Sequence, residues 1–243
     1  MLYTTVLSLL LTLSATAAPL TPRATCYSGF YIIVARGSNE AAGEGKPGEV
    51  ATMIEARVPN SASVAVKYPA TIIDNSGSYP ASVTDGINDT KTKIQNYVAA
   101  CGASSRIVLL GYSQGGNVMT DVLAGGVDKP APLAEKYRKN SESPDFVGVL
   151  ELTMSLVRGV AVFGDPTFTA GQSFDAGTST KDGIFARRQN GSSLALLNTY
   201  ASVVKSYCDA NDEFCASGNS LDVHYAEVDK YAQAATDFIV SKA

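Results

Sequence analysis

Short, uninterrupted runs of apolar residues recur along the chain and predict the strands of a buried sheet. β-Branched and aromatic residues dominate these runs. They cover residues 30–35, 63–66, 107–110 and 160–163, and a fifth run begins at Val203. Because the apolar residues are continuous rather than alternating, the runs are typical of parallel strands that are covered on both faces.

Segments with helical periodicity alternate with these runs. Apolar residues recur on one helical face in residues 50–57, 83–98 and 228–239. Pro59 would end the first of these helices, and Pro80 suits the first turn of the second. Alternating strands and helices predict an α/β fold with a parallel sheet and helices on both of its faces.

Two segments carry weaker patterns. Residues 168–194 are rich in Gly, Ser, Thr and Asp, which predicts a long surface loop. Residues 137–157 fit either a helix or a hydrophobic flap. The sequence contains no internal repeat and no segment long enough to link two domains, so residues 26–243 are predicted to form a single domain.

The N-terminal segment has the pattern of a secretory signal peptide. Its apolar run extends from residue 6 to residue 13, and Ala15-Thr16-Ala17 fits a cleavage site formed by small residues. We expect residues 1–17 to be removed on secretion and residues 18–25 to form a short leader. Beyond this segment, the sequence contains no apolar stretch long enough to cross a bilayer.

Composition narrows the possible partners. The chain has 243 residues, of which 45% are hydrophobic and 17% are charged, and its net charge is −4. This is enough apolar material for one buried core and too little charge for a disordered chain. Since the sequence has no run of basic residues, we expect neither nucleic acid nor an anionic membrane as a partner.

The sequence Gly111-Tyr112-Ser113-Gln114-Gly115 stands between the predicted strand 107–110 and a helical pattern. A G-x-S-x-G sequence in this setting predicts a nucleophile elbow, a sharp turn that exposes the serine hydroxyl. Glycine is needed on both sides because side chains two positions from Ser113 would collide. The Gln114 N–H would open the helix beside the serine, where it can bind an oxyanion.

A serine hydroxyl needs a base and an orienting acid to act as a nucleophile. His224 is the sole histidine, and a serine that precedes the histidine in the chain has the order of α/β hydrolases. The candidate acids are Asp165, Asp209, Asp212 and Asp222. Asp212 is favoured because Cys208 and Cys215 flank it, and a disulfide between them would fix a small loop.

The even number of cysteines suits an oxidising compartment and leaves three disulfide connectivities open. The four are Cys26, Cys101, Cys208 and Cys215. Without a C-x-x-C pair they indicate neither a zinc site nor a redox centre, and we expect no metal and no organic cofactor. Asn88 and Asn190 begin N-glycosylation sequons, which matter in an exported protein.

Together these motifs resemble those of the cutinase and acetylxylan esterase family of secreted serine esterases. The matching pieces are Ala35-Arg36-Gly37-Ser38, the elbow around Ser113, Asp212 between its two cysteines, and His224. They follow one another in the family's order and span nearly all of the chain after the predicted leader.

The resemblance implies a fold, a set of site residues and a disulfide pairing. The fold is a compact α/β hydrolase with about five parallel strands and no large lid. The implied catalytic residues are Ser113 as nucleophile, His224 as base and Asp212 as acid, with Ser38 and Gln114 forming the oxyanion hole. The implied disulfides are Cys26–Cys101 and Cys208–Cys215.

Two features of the sequence bear on the substrate. Phe163-Gly164-Asp165-Pro166 and Ser78-Tyr79 are more similar to the acetylxylan esterases. Residues 216–223 contain only Leu221 and Val223 as large apolar groups, which predicts a polar rim suited to a sugar with a short acyl group. We therefore expect a secreted, monomeric enzyme that deacetylates acetylated xylan. The alternatives are hydrolysis of cutin or other longer aliphatic esters, and non-catalytic carbohydrate binding on a hydrolase scaffold.

Overall fold

The computed structural model describes residues 25–126, 129–132 and 156–243. The predicted signal peptide, residues 1–17, lies outside the described residues. The same holds for nearly all of the predicted leader and for most of the ambiguous segment 137–157.

Within the described residues, six parallel strands form one sheet in the order β2-β1-β3-β4-β6-β5. The strands are β1 (Tyr31–Ala35), β2 (Ala62–Ala65), β3 (Ile107–Tyr112), β4 (Val157–Phe163), β5 (Asp175–Ala176) and β6 (Val204–Tyr207). All five predicted strands are present. The uninterrupted apolar sequence of β3 reflects its place near the centre of the sheet, where each of its residues is buried.

Helices cover both faces of the sheet, as predicted. One face carries α1 (Gly48–Arg57) and α5 (Leu221–Val240), and the other carries α2 (Ser78–Cys101), α3 (Gln114–Ala124) and α4 (Ser192–Asn198). Successive strand residues point to opposite faces, so Ile32 packs in the α1–α5 core and Ile33 packs in the core beneath α2 and α3. A parallel α/β sheet with helices on both faces is therefore confirmed.

Residues 168–194 form a mostly irregular and partly exposed segment, as their composition predicts, but the segment also contributes to the core and to the sheet. Phe168, Phe174 and Arg187 are buried, and Asp175–Ala176 form β5, which pairs with β6 as a sixth strand. A strand of two residues has no apolar run by which a sequence could reveal it. Arg187 is buried because its guanidinium forms an ion pair with Asp121, at 2.8 Å.

The last helix begins earlier than its apolar pattern indicates. The Ser220 hydroxyl caps α5 by accepting a hydrogen bond from the Val223 N–H at 3.2 Å. His224, which precedes the helical pattern of residues 228–239, therefore lies in the first turn of α5. The helix α4 was not predicted, because its seven residues span only two turns.

Two disulfides are present in the described residues, with the pairing that the family resemblance implies. Cys26–Cys101 ties the segment before β1 to the end of α2, across 75 residues of sequence. Cys208–Cys215 closes a short loop directly after β6, across seven residues. The first bond thus joins two segments that are distant in sequence, and the second closes a local loop.

Candidate active site

The candidate residues converge at one edge of the sheet because parallel strands all end on the same side. Ser38 follows β1, Ser113 follows β3, and Asp212 follows β6. His224 reaches the same edge from the first turn of α5. The fold therefore brings together residues from both halves of the chain.

Ser113 stands at a strained turn between β3 and α3. Its backbone has φ 53° and ψ −119°, a conformation that non-glycine residues rarely adopt. A Cβ at Gly111 would lie 2.3 Å from the Gly115 carbonyl oxygen, and one at Gly115 would lie 2.0 Å from the Ala35 carbonyl oxygen. Both glycines are thus required by close backbone approach, as the motif predicts.

His224 forms hydrogen bonds with both Ser113 and Asp212. Its Nε2 lies 2.9 Å from the Ser113 Oγ, and its Nδ1 lies 2.8 Å from the Asp212 Oδ2. Asp212 is completely buried and His224 is 2% exposed. A carboxylate can only accept, so Nδ1 carries the proton and Nε2 is left to accept the serine hydroxyl.

The loop around Asp212 fixes the orientation of its carboxylate. The second oxygen, Oδ1, accepts hydrogen bonds from the Phe214 N–H at 2.7 Å and the Cys215 N–H at 2.8 Å. The Cys208–Cys215 disulfide closes this loop. Because Oδ1 is held by two backbone amides, Oδ2 is the oxygen presented to the imidazole.

The other three candidate acids lie elsewhere. Asp165 is buried against Thr120 and Thr167, whose hydroxyl groups donate hydrogen bonds to its carboxylate, and burial raises the pKa of this carboxyl group. Asp209 accepts hydrogen bonds from Thr178 and Tyr231 and pairs with Lys230. Asp222 is exposed in the first turn of α5. Of the four candidates, the structure brings Asp212 to His224.

Ser38 lines the same cleft as Ser113, and Gln114 follows Ser113 in the chain; their role as an oxyanion hole stays a prediction. Gln114 is the first residue of α3, so its N–H has no acceptor within the helix. Gly115 packs against the end of β1, which brings the loop after β1 close to the elbow. The Thr71 carbonyl accepts both the Ser38 hydroxyl, at 3.1 Å, and the Gln114 side-chain amide, at 2.7 Å, and so joins the two residues.

A cleft of about 240 Å³ opens above Ser113. Its rim is more apolar than residues 216–223 alone predict, and the expectation of a polar rim is wrong in this respect. Ile72, Ile73, Leu221 and Tyr225 line the cleft with exposed fractions of 41% to 52%. The prediction failed because the two isoleucines come from a loop distant in sequence and adjacent only in the folded chain.

The remaining walls of the cleft were also missed by sequence reasoning. Tyr79, Tyr112 and Phe214 contribute rings to its lining, and Asn39, Glu40 and Lys46 form a polar side. The Phe214 ring packs edge-on against the imidazole of His224, with centroids 4.7 Å apart. The sequence motifs included Tyr112, in the elbow, and Tyr79, in Ser78-Tyr79, but no pattern placed either residue in the cleft.

The described residues contain one cluster of side chains with potential metal-ligating atoms, formed by Cys208, Cys215 and Glu227. Its two sulfur atoms are joined in a disulfide and cannot serve as thiolate ligands. The cluster is therefore not a metal site. Asn88 and Asn190, the candidate glycosylation residues, are both exposed.

Comparison with known proteins assigns the chain to a family. A family model described as cutinase matches residues 26–243. The chain belongs to the cutinase family. It is therefore a carboxylic ester hydrolase of the α/β class, as the motifs predict.

Relatives within the cutinase family include both kinds of enzyme anticipated from the sequence. Acetylxylan esterase 2 of Talaromyces purpureogenus is 31% identical over 239 residues, which cover 96% of this chain and 95% of the relative. Cutinase 11 of Verticillium dahliae is 30% identical, covering 93% and 72%. The catalytic core of the Trichoderma reesei acetyl xylan esterase superposes with a TM-score of 0.74 at 29% identity, covering 90% of this chain and all of that one.

Removing the Cys208–Cys215 bond should reduce activity as well as stability. Serine at both positions would free a loop whose closure contributes about 2–3 kcal/mol in the chain-entropy model, and Asp212 would be held less firmly. We expect a lower kcat and a lower melting temperature in thermal and kinetic assays.

The matched control replaces Cys26 and Cys101 by serine. Closing 75 residues contributes more, about 4–5 kcal/mol in the same model, but the bond lies far from the cleft. This variant should lose more stability and keep its kcat while folded. Equal loss of kcat in both variants would contradict a local role for the second disulfide.

Proposed function

We propose that this cutinase-family protein is a serine esterase that removes acetyl groups from acetylated xylan through a Ser113–His224–Asp212 triad. The observation that carries the proposal is the position of His224, which contacts the hydroxyl of Ser113 on one side and the carboxylate of Asp212 on the other. Burial of His224 and Asp212 keeps the hydrogen bond between them away from competing water.

The reaction would proceed by two acyl transfers. The Ser113 oxygen attacks the ester carbonyl while Nε2 of His224 takes its proton, and Asp212 stabilises the imidazolium that forms. The backbone amides of Ser38 and Gln114 bind the developing oxyanion. His224 then protonates the departing sugar oxygen, which leaves as a free hydroxyl group, and water repeats the sequence to release acetate and restore Ser113. The mechanism requires no cofactor.

Two observations support a short acyl group. The cleft, at about 240 Å³, is smaller than the 300–1,000 Å³ of sites that bind drug-sized ligands. Two relatives that match over 95% and 100% of their own length are also named as acetylxylan esterases. The polar side formed by Asn39, Glu40 and Lys46 offers hydrogen-bonding groups for a sugar.

Hydrolysis of longer aliphatic esters is the second candidate, and the apolar rim favours it. Ile72, Ile73, Leu221 and Tyr225 could cover an extended hydrocarbon chain beside Ser113. A relative named as a cutinase is almost as similar in sequence as the acetylxylan esterases. The apolar groups are on the surface around the cleft rather than in a deep tunnel.

A rate series separates the two candidates. We expect kcat/KM to be highest for acetyl esters and to fall steadily toward palmitoyl esters. We also expect the protein to release acetate from acetylated xylan. A maximum at long acyl chains without acetate release would establish the cutinase-type activity instead.

A pair of matched variants shows whether the rim binds the acyl chain. Ile73→Ser alters the rim, whereas Ile184→Ser alters an isoleucine of nearly equal exposure, 40% against 41%, that does not line the cleft. For an acetyl esterase both variants should hydrolyse acetyl esters at the parent rate. Selective loss of long-chain hydrolysis in Ile73→Ser would support the second candidate.

We further propose that the protein is exported after removal of residues 1–17, and that residues 26–243 form one monomeric catalytic domain. Two disulfides suit an oxidising compartment. The helices of the described residues include none with the length and apolar character needed to span a membrane. N-terminal sequencing of the secreted protein tests this processing directly.

A further inference from the structure

A buried carboxyl group connects α5 to the loop that carries Asp212. Glu227 lies one helical turn beyond His224 and is completely buried. Its Oε1 accepts a hydrogen bond from the Asp209 N–H at 2.6 Å and lies 3.9 Å from the Cys215 sulfur. Glu227 therefore contacts both ends of the disulfide-closed loop.

The turn that Glu227 contacts continues to Asp212. The Asp212 N–H donates to the Asp209 carbonyl at 3.2 Å, so the two residues belong to one hydrogen-bonded turn. The turn begins at Asp209, whose N–H donates to Glu227, and ends at Asp212, whose carboxylate contacts His224. Movement at Asp209 would consequently displace Asp212.

The surroundings of Glu227 disfavour a negative charge. The carboxylates of Asp209 and Asp212 face it from the loop, and the Tyr112 phenol is near it on β3. The nearest cation, Lys230 on its own helix, is already paired with Asp209. Among the described residues, the Glu227 Oε2 is buried and has no hydrogen-bond partner.

We propose that Glu227 is a positioning residue for the proposed catalytic acid. As a neutral carboxylic acid it accepts the Asp209 amide and allows the loop to pack against α5, which keeps the Asp212 carboxylate at the imidazole. Ionisation would place an unpaired charge in the interior beside two carboxylates, and the loop would have to loosen to hydrate it. The inference rests on the proposed function of Asp212.

Burial, with added repulsion from Asp212 and Asp209, raises the pKa of Glu227 to about 8 from an ordinary value of 4.5. The unfolded chain therefore loses this proton at lower pH than the folded chain. Between these two values the folded state binds more protons, so its stability falls as the pH rises. The effect of Glu227 on the loop should appear on the alkaline side of the activity profile.

The test measures kcat, KM and melting temperature against pH with a soluble acetyl ester. Glu227→Gln keeps the acceptor oxygen and cannot ionise. We expect the kcat of the parent enzyme to decline above about pH 8 and that of Glu227→Gln to persist, with KM and the acidic limb unchanged. At about pH 9 the melting temperature of the variant should be higher than that of the parent. At about pH 5 the two melting temperatures should be equal.

Two further variants sharpen the result. Asp229→Asn removes an exposed carboxylate two residues away on the same helix and should follow the parent profile. Glu227→Ala removes the acceptor and should lower kcat about tenfold to a hundredfold with KM unchanged, as expected for a misplaced catalytic group. If Glu227→Ala does not fold, the glutamine variant decides the question.

Ser113→Ala, assayed in parallel, separates failure of this inference from failure of the proposed function. Hydrolysis retained by Ser113→Ala would overturn the proposed function. An inactive Ser113→Ala together with a Glu227→Gln profile that superimposes on the parent profile would overturn the role of Glu227 alone.

Discussion

Replacing Ser113 by alanine should abolish ester hydrolysis, with kcat lower by about 10⁵-fold or more. The hydroxyl bonded to Nε2 of His224 is the group that would form the acyl-enzyme, and alanine offers no nucleophile in its place. The fold should survive, since alanine retains the Cβ that already tolerates the strained backbone at this position.

Steady-state kinetics and labelling together check this expectation. An organophosphate should attach one group to Ser113 in the parent protein and none in Ser113→Ala, while the melting temperatures remain similar. A carbohydrate-binding protein without catalysis would show no esterase activity and no labelling in either form. Residual hydrolysis by a well-folded Ser113→Ala would place the nucleophile elsewhere.

Asp212→Asn is expected to lower kcat by about 10⁴-fold with little change in KM. The two amides that bind Oδ1 would select the asparagine carbonyl oxygen, leaving the NH₂ group to face His224. The imidazole would then hold its proton on Nε2, where it could not accept one from Ser113. Kinetics with a soluble acetyl ester measure the loss.

Two other aspartates serve as controls for this variant. Asp165→Asn changes a buried carboxylate that is bonded to threonine hydroxyls, and Asp222→Asn changes an exposed one. Both should keep most of the parent kcat, provided that they are folded. A loss at Asp165 as large as that at Asp212 would show that burial of a carboxylate, rather than its contact with His224, determines the effect.

The central strands and the elbow were predictable because their physical requirements are local. A strand such as β3 needs an uninterrupted apolar run, and the turn at Ser113 needs glycine at positions 111 and 115, whatever surrounds them. The preference for Asp212 among the candidate acids also came from neighbouring residues, because Cys208 and Cys215 flank it in the sequence. These features are encoded by neighbours in sequence.

The features that sequence reasoning missed depend on contacts between distant segments. Asp175–Ala176 becomes a strand only because β6 offers it a free edge. Arg187 is buried where Asp121, 66 residues earlier, supplies a counter-charge. The apolar rim likewise combines Ile72 and Ile73 with Tyr225, which no local pattern could connect.

In the proposed mechanism, the order of the chain would also delay reactivity during synthesis. The serine and the imidazole that contacts it are separated by 111 residues, and the helix that carries the imidazole follows every strand. A nascent chain that already contains the elbow therefore still lacks the group that would activate it. If Ser113 and His224 act as proposed, esterase activity would arise only after α5 has been translated.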